Sequence, residues 1–173
     1  MNKIVNKLIH VARKARFASF VYTNSAGEKS RYKIKLGFSY INLVNRSIDE
    51  LNSSIENMQG DSKEAAKSLL ESLQETAAGN NTNYTKKELY KPFLDTEGKV
   101  VHGIKVNTKN NNIHVCGLLG SKTVLDGGPS RAKSVSLKQA IRNSLPVGNF
   151  REFVLENISE AKLDGEVLTL TKN

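Results

Sequence analysis

The stretch RYKIKL, residues 31–36, alternates Arg31, Lys33 and Lys35 with Tyr32, Ile34 and Leu36. Side chains on a β-strand point alternately to opposite faces, so this pattern reads as a half-buried strand with three cations on its wet face. Same-face neighbours stand about 6.6–6.8 Å apart, twice the strand rise, which roughly matches the phosphate spacing of an extended single strand. Aromatic residues interleave with the cations, as Tyr22, Tyr32, Phe38 and Tyr40. Small barrels bind single strands on aromatic platforms flanked by cations. Small sheets also bury their aromatics. Both readings stand for Tyr32 and Tyr40, the candidate stacking residues. A second basic run is Arg131, Lys133, Lys138 and Arg142. Lys138 and Arg142 are spaced i, i+4 and share a helix face. A cationic loop leading into a helix start is a candidate phosphate clamp.

Other chemistry is sparse. His114 and Cys116, two apart on a strand, would share a face, and His102 could join from a neighbouring strand. Zinc sites usually close with four ligands, or use three with an orienting second shell. A buried core cysteine beside ordinary histidines is the preferred reading, with no metal assigned. GLLGSKT, residues 117–123, resembles a phosphate loop only loosely. Two residues rather than four separate its glycines, and Ser121 stands before Lys122. A strand–turn–strand is expected there. The three histidines offer no Ser/His/acid set. The chain therefore reads as a non-enzyme that needs no cofactor.

The 173 residues, 38% hydrophobic, suffice for one domain with a substantial core. No apolar run has the length of a membrane span. The N-terminal segment lacks the apolar stretch of a secretory signal. The lone Cys116 suits a reducing compartment, so a cytoplasmic location is expected. The net charge of +9 is uneven: residues 1–40 carry +8, 41–80 carry −4, 81–150 carry +7 and 151–173 carry −2. Basic segments separated by an acidic one point to a basic face and a polyanionic partner, DNA or RNA, with no membrane role.

The cations need a scaffold. Residues 2–15 have an apolar helical stripe of Ile4, Val5, Leu8, Ile9, Val11 and Ala12, and read as a packing helix with a solvated basic side. Two β-rich runs around TNSAGEKS form a hairpin. SIDE, residues 47–50, has the form of a capping box, and Asp61 reads as a second cap. Residues 47–77 are thus an acidic αα-hairpin. TKKE, residues 85–88, reads as the cap of a short helix ending near Pro92. Strands return at KVVHGIKVN and NIHVCGLLG, with SKTVL as a third. SVSLKQAIRNSL is a helix capped by Ser134 or Ser136, with Leu137, Ile141 and Leu145 inward. GNFREFVLENI, residues 148–158, fits both helical and strand periods. The helix stop at Pro146 and Gly148, and Asp164-Gly165 after the segment, favour a strand with Arg151 at the open end of the barrel. The frequent turns suggest a small antiparallel barrel or curled sheet. The expected organisation is a single domain. Residues 1–46 hold a helix and hairpin, 47–92 a helical insertion, and 93–173 the remaining strands and one helix.

FVYTNSAGEKSRYKIKL resembles the opening hairpin of WYL-type domains, and NFREFVLENI resembles their closing element. NIHVCGLL stands where the central strand would be, without the aromatic-Leu pair behind the family name. In this the chain is similar to short WYL-like, Sm/SH3-type barrel proteins of bacteriophages. The resemblance implies an α+β fold: a small antiparallel SH3/Sm-like β-barrel with an inserted αα-hairpin and flanking helices. It also implies a phage-encoded, regulatory nucleic-acid-binding role, with Arg31 and Arg151 lining the groove. The expected contacts are Arg31, Lys33, Lys35, Arg131, Lys133, Lys138, Arg142 and Arg151. The alternative is an adaptor or inhibitor that docks on a host protein through the acidic helical hairpin.

Overall fold

The computed structural model describes residues 3–79, 89–127 and 134–170. They fall into two compact units. Described residues 3–39, 89–127 and 151–170 form a sheet unit, and 40–79 and 134–150 a helical unit. No helix among the described residues is long and apolar enough to cross a membrane.

The sheet unit opens with helix α1 (Lys3–Arg13), whose Val5, Leu8, Ile9, Val11 and Ala12 are buried. Strands β1 (Phe17–Thr23) and β2 (Lys29–Leu36) follow as the expected hairpin. Asn24 shapes the turn, its side-chain oxygen accepting from the backbone N–H of Ala26 and Glu28. Next come β3 (Tyr90–Leu94), β4 (Val100–Asn107) and β5 (Ile113–Asp126). The last strands are β6 (Phe150–Val154), β7 (Ile158–Leu163) and β8 (Glu166–Thr169). Asp164 and Gly165, at φ 50° and 80°, form the two-residue β7–β8 turn, a geometry that Asp-Gly accommodates.

The strands form one open antiparallel sheet in the order β3-β4-β5-β2-β1-β7-β8, with β6 paired to β5. The closed SH3/Sm-like barrel expected from the sequence is replaced by this open sheet. Here α1 covers the apolar face that barrel closure would otherwise bury. Its stripe shares one core with Phe20, Ile34, Leu36, Val115, Phe153 and Leu163. Pro92 lies in the outermost strand β3, where a missing N–H costs no central ladder bond. It therefore sits in a strand rather than at the end of a short helix; residues 85–88 lie outside the described residues.

Residues 113–126 are one continuous strand, not two strands around a turn at GLLGSKT. The 117–126 segment pairs along β2, with register shifts that skip Gly120 and Leu125. These bulges bend the strand without breaking it. Strand β6 confirms the extended reading of NFREFV, and Phe153 is buried. The strand ends at Val154, and a 3₁₀ turn takes Leu155–Asn157.

The helical unit contains α2 (Tyr40–Ser54), α3 (Gly60–Ala77) and α4 (Leu137–Asn143). Its core holds Val44, Leu51, Ala66, Leu69, Leu73, Leu145 and Val147. SIDE is no capping box, because α2 begins seven residues earlier, at Tyr40. Ser47 is buried in mid-helix: its hydroxyl donates to Leu43 O (2.7 Å) and accepts from the Val147 N–H (2.9 Å). Asp61 lies inside the first turn of α3, whose N-cap is Gln59. Ser136 caps α4 by accepting from the Gln139 N–H. Leu137, the first residue of α4, is 44% exposed, contrary to the expected inward stripe, whereas Ile141 and Leu145 pack in the helical core.

Candidate functional site

Strand β2 presents Lys29, Arg31 and Lys33 exposed and Lys35 half-exposed on one face, while Ser30, Tyr32, Ile34 and Leu36 are buried on the other. The two-residue period therefore separates the cations from Tyr32. Tyr32 packs edge-on against Tyr22 and Phe153, with ring centroids 6.4 and 4.9 Å away. A strand cannot offer Lys33 and Tyr32 to one ligand, so Tyr32 is a core residue rather than a stacking platform.

Register carries the cationic face onto neighbouring strands. Lys33 pairs with Ser19 of β1, and Ser19 with Lys162 of β7. On the other side Lys33 pairs with Ser121 and Arg31 with Thr123 of β5. The face thus carries cations flanked by short hydroxyls. A depression of about 350 Å³ lies along it, lined by Ser19, Val21, Arg31, Glu160, Lys162 and Val167 among others. Among the described residues, none of Lys29, Arg31, Lys33, Lys35 or Lys162 has an ion-pair partner within 4.0 Å.

Helix α1 is the opposite case. Lys3 and Lys7 reach Glu166 at 2.7 and 2.5 Å, and these hydrogen bonds pull the Glu166 carboxyl down to about 2. His10 and Arg16 lie 3.3 and 3.5 Å from Asp164. Arg13 bonds Asp95, whose carboxyl is held low first by that guanidinium and then by the Lys99 N–H. The α1 cations thus meet acids of β8 and of the turns after β3 and β7.

Phe17 belongs to the β2 face and is missing from the candidates read off the sequence. It is 48% exposed and pairs with Lys35 across the β1–β2 ladder. Lys33 Nζ stands 5.0 Å from its ring centroid. A Cβ at Gly120 would lie 3.0 Å from Phe17 Cε1, so the ring extends across β2 to the bulge glycine of β5. Lys35 Nζ lies 5.9 Å from the Phe38 ring. The signal was in the sequence: period two puts Phe17 with Ser19 and opposite the β2 cations. Lys29 and Lys162 were also missed. Lys162 joins only through the β7–β1 pairing, a contact that spans 143 positions of chain between Ser19 and Lys162.

The other expected contacts are dispersed. Arg151 lines a separate cavity of about 650 Å³ with Tyr22, Asn24, Tyr32, Phe153 and Asn157. That cavity opens on the Tyr32 side of β2, away from the Arg31–Lys35 row. Beside it, Lys122 pairs with Glu28 at 2.5 Å; this bond raises the Lys122 ammonium and lowers the Glu28 carboxyl. In the helical unit Lys138 Nζ donates to Ser72 Oγ (3.2 Å), and Arg142 Nη2 to the Tyr40 hydroxyl (3.4 Å). Tyr40 packs edge-on against Phe150 at 5.2 Å. Tyr40, Lys138 and Arg142 therefore bridge helical elements. Arg131 and Lys133 lie outside the described residues.

Glu152 anchors a largely enclosed charge cluster. Lys105 Nζ lies 2.8 Å and His114 Nδ1 3.0 Å from its Oε1. Burial pushes its carboxyl up, but the bonds from His114 and Lys105 outweigh this and leave it below the ordinary range. The Tyr90 ring sits 3.9 Å from Lys105 Nζ. Cys116 is buried, and burial first, then the Glu152 charge, pushes its thiol up to about 12. A thiol held protonated in this way is a weak nucleophile. The described residues contain no group of three His, Cys, Asp or Glu suited to a metal ion, and His102 lies exposed on β4. Compared with protein-family models, curated proteins and solved structures, the chain matches none.

Proposed function

We propose that this is a non-enzymatic nucleic-acid-binding protein whose β2 face contacts phosphates. The observation that carries the reading is the row Lys29, Arg31, Lys33 and Lys35, extended by Lys162 and lacking ion-pair partners among the described residues. Adjacent like charges about 6.7 Å apart repel by about 0.6 kcal/mol in water before screening. The row therefore opposes folding slightly, and an external polyanion would relieve it. A regulatory role remains part of the proposal through the WYL-like hairpin resemblance at residues 20–36 and 149–158.

Fluorescence polarisation with labelled DNA and RNA oligonucleotides at two salt concentrations tests the reading. Binding should weaken steeply with salt, as released counterions demand. Replacing Arg31, Lys33 and Lys35 together by Ala should reduce the log–log salt slope by about 2, at about 0.7 per single-strand phosphate contact. If wild type binds no DNA or RNA at low salt, the proposal fails. The acidic helices α2 and α3 would then favour the adaptor reading.

A further inference from the structure

We infer that the nucleic acid is single-stranded and that Phe17 stacks on its bases. This rests on the phosphate-binding reading of the β2 face and adds the chemical class of the ligand. Bases in a duplex are stacked on one another and hide their faces. Bases of a single strand can open onto a protein ring, and every base has a π-face.

Three features converge on Phe17. First, the ring is about half exposed on a face whose other side, at Ala18 and Phe20, is buried core. About half of this apolar ring is left in water, so burial alone does not account for a phenylalanine at that position. Second, the ring lies where the cations are. Lys33 Nζ is 5.0 Å from its centroid, and Lys35 is its cross-strand partner. Phosphates held by these lysines would bring adjoining bases to the ring. Third, β5 leaves room for it. Gly120 is the residue skipped in the β2–β5 register, and a side chain there would meet the ring edge at 3.0 Å and Lys33 O at 3.1 Å. The bulge thus seats the ring across the strand. The arrangement is a stacking platform with flanking cations, built around Phe17 in place of the buried Tyr32.

The chain has no tryptophan, so Phe17→Trp installs a unique fluorophore at the proposed contact. Titration with oligo(dT) should quench its emission with the same midpoint as polarisation of labelled oligo(dT). Phe17→Leu should weaken oligo(dT) binding about 5- to 150-fold, the range for loss of one stacked base. It should leave binding of inorganic polyphosphate unchanged, because that polymer has charge without bases. Thermal melts of both variants establish that they fold. Binding of oligo(dT) by the Trp variant without quenching would overturn the stacking assignment. So would a Leu variant that binds oligo(dT) as tightly as wild type. Preference for duplex over oligo(dT) would overturn the single-strand class. If wild type binds neither polyphosphate nor oligonucleotide, the phosphate-binding reading itself fails, an outcome distinct from losing only the Phe17 contribution.

Discussion

Helix α1 and strand β2 both contribute to the +8 charge of residues 1–40, yet their cations have different fates. On α1, Lys3, Lys7, His10 and Arg13 reach Glu166, Asp164 and Asp95. On β2, Arg31, Lys33 and Lys35 meet hydroxyl-bearing or apolar neighbours across the ladder: Val21, Ser19 and Phe17 on one side, Thr123, Ser121 and Leu118 on the other. The lesson is that net charge in a segment does not identify a binding face. The same excess of cations is neutralised within the fold in α1, which docks its own sheet unit through paired charges, and is left in β2 without an ion-pair partner within 4.0 Å among the described residues.

The strongest test of paired against unpaired charge lies at Glu152, where Lys105 is paired in a far more enclosed setting than the α1 lysines. Glu152→Ala should lower unfolding free energy by roughly 2–3 kcal/mol at neutral pH, because it removes the carboxylate that both Lys105 and His114 bond in a setting with little solvent. Urea denaturation measures this. The folded carboxyl lies below its ordinary value, so its contribution is present above the usual carboxylate range. It is lost as pH falls through the depressed value. A loss below 0.5 kcal/mol would mean that the cluster is solvated like a surface pair.

A smaller effect should separate the two basic regions directly. Lys33→Ala/Lys35→Ala should flatten the salt dependence of oligonucleotide binding by about 1.4 in log–log slope, for two single-strand phosphate contacts. It should leave the melting temperature unchanged or slightly raised at low salt. Lys3→Ala/Lys7→Ala should do the reverse, lowering the melting temperature and leaving the slope alone. Equal slopes for both double variants would erase the distinction.

The smallest effect concerns Glu166. Its carboxyl is depressed from 4.5 to about 2 by Lys3 and Lys7. A depressed folded value stabilises the protein above pH 4.5, and the contribution is lost as pH falls through about 2. Glu166→Gln should therefore melt below wild type at pH 7, with the gap closing between pH 4.5 and about 2. Added salt should narrow the gap at pH 7, since the glutamate side chain is 40% exposed. A gap independent of pH would assign the effect to packing.

Much of the fold was legible because it is written in short periods. The α1 stripe, the alternation in β2 and the Asp164-Gly165 turn each depend on residues within a few positions of one another. The same local rules misplaced other features. SIDE matches a capping box, but Tyr40, Leu43 and Val44 extend the helix upstream, and Ser47 serves a buried bond to Val147, 100 residues away. GLLGSKT looks like a turn because glycine usually marks one. Here Gly117 and Gly120 lie inside a strand, where a Cβ at Gly117 would meet Ile34 Cγ2 and Lys35 O at 2.5 Å. The glycines answer to the neighbouring strand, which the local sequence does not contain. Arg151 lies in a strand as expected, and it lines a cavity on the Tyr32 side of β2.

By itself the sequence determined where most of the strands and helices lie and that β2 has a cationic face, because side-chain direction follows backbone period. Tertiary structure decided which cations remain available. That outcome depends on acids such as Glu166, which meets Lys3 across 163 positions of chain, and on the pairing that brings Lys162 to Ser19. It also decided that Phe17 rather than Tyr32 is the exposed aromatic. Burial of a face depends on what packs against it, and α1 and β6 meet only the face that holds Tyr32.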